Sequence, residues 1–446
     1  MIRRNSSIIW LPWAICAPAL WAQTIIFQHA TIIDVTGAPA REDVSVTIAD
    51  GRIASIRAGS AAEIPGARVV DATGKFLIPG LWDMHVHLDA QGTAIPALLA
   101  NGITGIREMY TGIPIATLLA WRAKSENPRI AVSGFLDGPL LRTSGVPPDA
   151  FAVASADEAV FAVDALASRG ADFLKVYNDL PREAYLAIAQ ESKRLGIPFA
   201  GHVPEAVSPL EASEAGQRSQ EHLINILLSC STREEELRKE RIATMNDPAI
   251  SGQQRMLRLG FPDPEGLFDT YDQAKAAALF KTFVKNSTWH APTLALLSGY
   301  LADKNRARKM TYMQDLSPEE FDSWIGRISA LLERYKKLVG EMHKAGVEFL
   351  AGTDTGPSTP VVPGAGLHDE LELLVESGFT PLEALQTATL NPARYFGKLR
   401  DMGTIDVGKV ADLVMLDANP LEDIRNARKI EMVVLRGRVI SEPAPR

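Results

Sequence analysis

Six residues of types that hold metals or move protons stand where short apolar runs end. His85 and His87 close the stretch Gly80-Leu81-Trp82-Asp83-Met84-His85-Val86-His87-Leu88. Side chains on a β-strand alternate, so the two imidazoles share a face and make half of a divalent-metal site. Taken alone, the pair is a common and weak signal that two half-exposed histidines on an edge strand explain better. The same kind of ending recurs at Lys175 in Asp172-Phe173-Leu174-Lys175-Val176-Tyr177, at His202 after Phe199-Ala200-Gly201 and at His222 after Gln220-Glu221. Asp354 follows Leu350-Ala351-Gly352-Thr353 in the same way.

Each position has two readings. An unpaired ammonium is costly to bury, so Lys175 needs either a carboxylate partner or chemical modification, for instance to a carbamate bridging two cations. His202 and His222 are metal ligands or hydrogen-bonded core histidines. Asp354 caps the next helix, or it binds metal and carries protons. Convergence of all six on one rim favours the metal-site reading in each case.

The elements that would bring them together alternate short apolar strands with helical stretches from Gly80 to about Arg400. Eight strands are predicted: 81–88, 103–109, 129–135, 172–177, 198–202, 219–222, 288–294 and 347–354, with helices such as 154–170 and 181–195 between them. Eight is the number that closes an α/β barrel, a (β/α)8 TIM-type fold that places chemistry at the carboxyl ends of its strands. Two connections, 227–286 and 299–346, are longer than packing requires; they either cover the pocket or decorate the surface. Shorter β-rich runs (31–35, 44–48 and 52–56, then 412–416, 432–435 and 438–440) flank the barrel. They suggest a discontinuous β-sandwich built from both ends of the chain. The expected organisation is therefore 1–22 leader, 23–79 sandwich, 80–400 barrel and 401–446 sandwich again.

The 446 residues carry 46 Lys and Arg against 54 Asp and Glu, a net charge of −8 with no basic stripe, which excludes nucleic acid as a partner. At the amino terminus Arg3 and Arg4 precede an apolar run, Ile8 to Ala22, ending in small residues. This is the pattern of a secretory signal peptide cut after Ala22 or Ala19, which implies a periplasmic or secreted protein with no stable membrane anchor after cleavage. Pro12 and Pro18 make the run too broken for a comfortable membrane span. Cys16 would leave with the leader, so Cys230 remains as a lone thiol and reads as a small buried hydrophobe.

The chain resembles the amidohydrolase superfamily of metal-dependent hydrolases, and most closely its imidazolonepropionase-like and prolidase-like branch. The resemblance rests on Ile78 to His87, Gly102-Ile103-Thr104-Gly105-Ile106-Arg107, Gly170 to Lys175, Gly201-His202, Glu221-His222, Gly352-Thr353-Asp354 and the tail from Gly403 to Val414. It implies a centre of two divalent ions, most often zinc. His85, His87 and Asp354 would hold one ion, His202 and His222 the other, with carboxylated Lys175 and a hydroxide between them. The implied reaction is hydrolysis of an amide C–N bond in a small molecule such as an N-acyl amino acid or Xaa-Pro dipeptide, with Asp354 as proton shuttle. Cyclic-amide hydrolase, lactonase and deaminase activities use the same centre, and a non-catalytic barrel acting as a binding protein is the remote alternative. A homo-oligomer is compatible with the sequence.

For the substrate, Tyr177, His290, His368 and Arg142 are the candidates, each with a packing or solvent role as its counterpart. Arg107 reads as the partner of a structural carboxylate. Prolidase-like relatives often carry Gly-Gly-His-Gly after the third strand, whereas this chain has Gly138-Pro139-Leu140-Leu141-Arg142 there. That departure spares the metal ligands and puts a dipeptide substrate in doubt.

Overall fold

A computed structural model describes residues 24–442, except 144, 256–258, 260–265, 311–312 and 315. The leader predicted at 1–22, with Cys16, lies outside the described residues.

The amino-terminal strands are β1 (Ile25–Ile32), β2 (Arg41–Ala49), β3 (Arg52–Ala58), β4 (Arg68–Asp71) and β5 (Phe76–Pro79). The carboxy-terminal ones are β15 (Leu413–Leu416), β16 (Ile430–Leu435) and β17 (Arg438–Ser441). They meet in one eight-stranded sheet ordered β17-β16-β15-β5-β1-β2-β3, with β4 on β1. Its seam is β5 against β15, where Ile78 faces Val414. The free edge of β3 returns to the segment before β15 through an Arg52–Val410 bridge, so the sheet wraps its own core. Phe27, Val46, Leu77, Leu413 and Val434 belong to that core.

Between these halves run β6 (Leu81–Val86), β7 (Ile103–Glu108), β8 (Arg129–Asp137), β9 (Ala150–Ala152), β10 (Phe173–Val176), β11 (Phe199–Gly201), β12 (Ser219–Glu221), β13 (Trp289–Ala291) and β14 (Glu348–Phe349). Apart from β9, which hangs on β8, they pair in chain order from β6 to β14. Parallel bridging of Val86 to Thr355 brings the last strand back to the first. Backbone hydrogen bonds from Met84 N–H to Ala351 O and from Asp354 N–H to His85 O, both 2.8 Å, continue that seam. This is the expected barrel, strand for strand.

Such strands are buried on both faces and read as nearly continuous apolar runs. Outward residues such as Leu174 and Val176 meet the helices. Below the rim the interior is filled by Trp82, Met84, Trp289, Ala291 and Leu350 in one group and by Met109, Ala131, Phe173 and Ala200 in another. It is a packed core and not a pore. The helices follow local rules: Arg182–Leu195 buries Ala184, Tyr185 and Ile188 on one face and stops at Gly196 in the left-handed conformation, φ 71°. No helix among the described residues is long and apolar enough to cross a membrane.

Candidate active site

The carboxyl ends of the strands bring the six predicted residues to one rim. In β6 the pairing with β7 slips by one residue between Asp83 and Val86. Such a bulge re-aims the side chains that follow it. Trp82 and Met84 line the interior below, and after the extra residue His85 and His87 turn inward as well. Their Nε2 atoms lie 3.2 and 3.0 Å from the same Oδ1 of Asp354. Across the barrel, the His222 ring sits 4.5 Å from that of His85 and 4.7 Å from that of His202. Lys175 shares the inward face of β10 with Phe173 and is 1% exposed, its Nζ without a hydrogen-bond partner.

Several rim residues adopt a backbone that non-glycine residues avoid. His222, Thr293 and Asp354 have φ of 61°, 51° and 60°. Each costs on the order of 1–3 kcal/mol unless its surroundings hold it, and such residues cluster at functional sites. At His222 the effect can be followed: regular alternation would send it away from the face used by Ser219 and Glu221, and the positive φ returns it to the cavity. Glycine permits the close approaches. A Cβ on Gly201 would lie 2.2 Å from Val176 O and 2.9 Å from Lys175 Cδ, and one on Gly352 would lie 2.8 Å from His85 Cβ.

The outer nitrogen of every ring is occupied. His85 Nδ1 donates to Glu221 Oε2 at 3.0 Å, His87 Nδ1 to the Tyr110 carbonyl at 2.7 Å and His202 Nδ1 to Asn178 Oδ1 at 2.7 Å. His222 Nδ1 pairs with Thr293 Oγ1 at 2.7 Å. For His85, His87 and His202 the partner oxygen only accepts, so the proton sits on Nδ1 and the Nε2 lone pair faces inward, the tautomer of a metal ligand. The Thr293 hydroxyl can donate or accept, so it holds the His222 ring without fixing its tautomer. Glu221 is held in turn by both Nη2 contacts of buried Arg107, at 2.9 and 2.8 Å, as expected for an arginine with a structural carboxylate. Burial pushes the Glu221 carboxyl up, but Arg107 and His85 beside it bring it well below the usual range, so it stays ionised.

Protonation states follow from these surroundings. Burial, assisted by His85, pushes His222 down to about 3, leaving a neutral imidazole. Burial raises the Asp354 carboxyl, yet the neighbouring His222, His85 and His87 outweigh it and hold a carboxylate. Burial lowers Lys175 to about 8 against the opposing pull of Glu221 and Asp354, so far more of the amine is neutral than for an ordinary lysine. His85, His87 and Asp354 offer three ligand atoms within 4.8 Å of one another. With the buried Nε2 of His85 and Nζ of Lys175 both lacking hydrogen-bond partners, this donor set fits divalent cations.

The cavity beside these residues is about 460 Å³ in volume, within the ordinary range for small-molecule sites. Tyr177 lines it, with its ring 4.1 Å from that of His202. The other three substrate candidates do not. His290 is fully buried on the outer face of β13, against Phe283 at 4.5 Å, because Trp289 and Ala291 take the inward positions. His368 is buried on the helix Ala365–Glu376 and meets the Asn101 carbonyl at 3.1 Å. Arg142 lies in an exposed turn and donates to Ala152 O at 3.0 Å and Glu158 Oε2 at 2.9 Å. Cys230 is buried and its thiol pushed up to about 12 by burial, consistent with an inert packing residue.

A sequence profile described as "Amidohydrolase family" matches residues 76–440. The chain belongs to the amidohydrolase family. It is therefore a hydrolase of carbon–nitrogen bonds in small molecules, in a family that is typically metal-dependent. Among curated relatives, ochratoxinase from Aspergillus niger is 26% identical over 440 residues, covering 91% of this amidohydrolase and 83% of the relative. Among solved structures, a Xaa-Pro dipeptidase with bound methionine superposes with TM-score 0.66 at 18% identity, over 94% of this chain and 99% of that one. The crystal structure of the Aspergillus niger ochratoxinase gives 0.65 at 20% identity, over 95% and 96%. These superpositions show the shared fold.

Proposed function

We propose that this amidohydrolase cleaves an amide C–N bond at a centre of two divalent cations, zinc in the first instance. His85, His87 and Asp354 would hold one ion and His202 and His222 the other, with carboxylated Lys175 as a further ligand. The single observation that carries this reading is the convergence of four imidazoles, one carboxylate and one buried, partner-free amine on the same rim. Carboxylation suits Lys175: the neutral amine adds to CO2, forming a carbamate N–C bond and releasing one proton. The product is an anion in place of a buried ammonium.

The cations would supply Lewis acidity towards the substrate carbonyl and acidify water enough for hydrolysis near neutral pH. The chain's own residues do the rest. Glu221, Tyr110 O, Asn178 and Thr293 fix the four rings. Asp354, ionised and facing the cavity, takes a proton as water adds to the carbonyl carbon. It returns that proton to the nitrogen as the C–N bond breaks, giving a carboxylic acid and an amine. Tyr177 positions the substrate from the wall next to His202. Export to the periplasm or medium is proposed from residues 1–22 alone.

Asp354→Asn tests the reading: with the fold retained by circular dichroism, turnover falls by about 10²- to 10⁴-fold, the usual contribution of a positioned proton carrier. Turnover within a few-fold of wild type would remove Asp354 from that role.

A further inference from the structure

The walls of the cavity are chemically unequal. The ligand side carries His87, His202, His222 and Asp354. Facing the same space are Leu296, Tyr300, Met313 and Trp324, all from the stretch between β13 and β14. This stretch is firmly built. Leu294–Ala302 begins the insertion, and the 27-residue helix Pro318–Lys344 opens on a capping box formed by Ser317 and Glu320. The long helix buries Phe321, Trp324, Ile325 and Ile328. The Tyr300 and Trp324 rings meet edge to face at 5.0 Å, and neither residue is more than 3% exposed. Among the described lining residues there is no lysine or arginine. Arg142, the arginine among the substrate candidates, is engaged elsewhere.

The geometry points to a substrate that carries a bulky, uncharged apolar or aromatic group on one side of its scissile amide, seated against Trp324, Tyr300, Leu296 and Met313. The insertion between β13 and β14 is thereby the element that sets specificity. The inference rests on C–N bond hydrolysis at the Asp354 side, and it separates this chain from enzymes built to grip a free carboxylate at that wall. An apolar wall rewards each methylene it buries by about fourfold in kcat/KM and gives a carboxylate no compensation for lost water.

The test uses the metal-loaded protein with N-methylamides of acetic, hexanoic and 3-phenylpropionic acids, acetamides of hexylamine and phenethylamine, and the mono-N-methylamide of succinic acid, with products followed by mass spectrometry. Binding of 3-phenylpropanol, which has no bond to hydrolyse, is measured by calorimetry. At least one bulky series exceeds the acetic N-methylamide by about tenfold or more in kcat/KM, the succinic derivative is poorest, and the alcohol binds. Trp324→Leu lowers the bulky-to-small ratio and weakens the alcohol by about tenfold, and Trp324→Phe restores most of both. Equal rates along both series, a preference for the succinic derivative, or alcohol binding that ignores Trp324 overturns the inference. If no amide is cleaved while the alcohol still binds through Trp324, hydrolysis fails and the apolar wall stands. Should Trp324→Leu not fold, the wild-type series decides alone.

Discussion

Removing the charges beneath His85 separates what holds the barrel together from what holds the metal. Arg107 and Glu221 are both fully buried. Besides its two bonds to Glu221, Arg107 donates to Met84 O at 2.6 Å, Ser219 Oγ at 2.7 Å and Tyr395 Oη at 3.0 Å. Glu221→Leu leaves a guanidinium without its counter-charge, and Arg107→Met leaves a carboxylate without one. Each single change costs about 3–5 kcal/mol, because an unpaired charge remains in the interior. The double variant removes both charges, so its cost falls short of the sum by at least ~2 kcal/mol. Metal affinity behaves differently: without Glu221 nothing orients Nδ1 of His85, and affinity drops about 10- to 100-fold in both the single Glu221 variant and the double. Denaturant unfolding in chelator gives the stabilities, and competition with a metal indicator gives the affinities. Strict additivity of the two single costs would refute the buried-pair reasoning. Unchanged metal affinity in Glu221→Leu would refute the orienting role.

Two further outcomes follow from the structure. His290 has both ring nitrogens buried without hydrogen-bond partners, and burial pushes it down to about 3. Its folded pKa lies below the ordinary 6.5, so stability is full above that value and is lost as pH falls through the window down to about 3. At pH 5 the penalty is about 2 kcal/mol. His290→Phe should remove that ~2 kcal/mol penalty at pH 5, so that acid unfolding moves to lower pH, and keep activity; loss of activity with the fold intact would return His290 to the site. Lys175→Ala should take bound metal below one equivalent per chain and lower activity by more than about 100-fold, and partial recovery with added short-chain carboxylates would mark a missing bridge. Full activity in that variant would contradict the bridging lysine.

Alternation along strands made much of the site legible. Lys175 follows Phe173 and His202 follows Ala200 on the inward face, as the period of two requires. The same rule, applied with care, excludes His290: Trp289 and Ala291 already claim the interior of a three-residue strand, so nearness to the strand's end did not decide the facing. The bulge in β6 and the positive φ at His222 are departures from alternation that no residue type announces. The groups that orient the rings were invisible for another reason. Glu221 stands next to His222 in sequence but serves His85, 136 residues away, and Thr293 serves His222 from the cap of the helix after the following strand. Both long connections were visible by length and composition. Only the packed helices show that the second of them, through Tyr300 and Trp324, forms a wall of the cavity. Arg142 and His368 lie in a turn and on a helix, where strand periodicity gives no direction.

Metal content per chain is the most direct measurement. Protein purified without chelator and analysed by inductively coupled plasma mass spectrometry should carry two equivalents of divalent metal, falling below one with loss of activity when Lys175 or the His202–His222 pair is replaced. Metal-stripped protein that hydrolyses amides at the full rate would contradict a site in which His85, His87, Lys175, His202, His222 and Asp354 grip two cations.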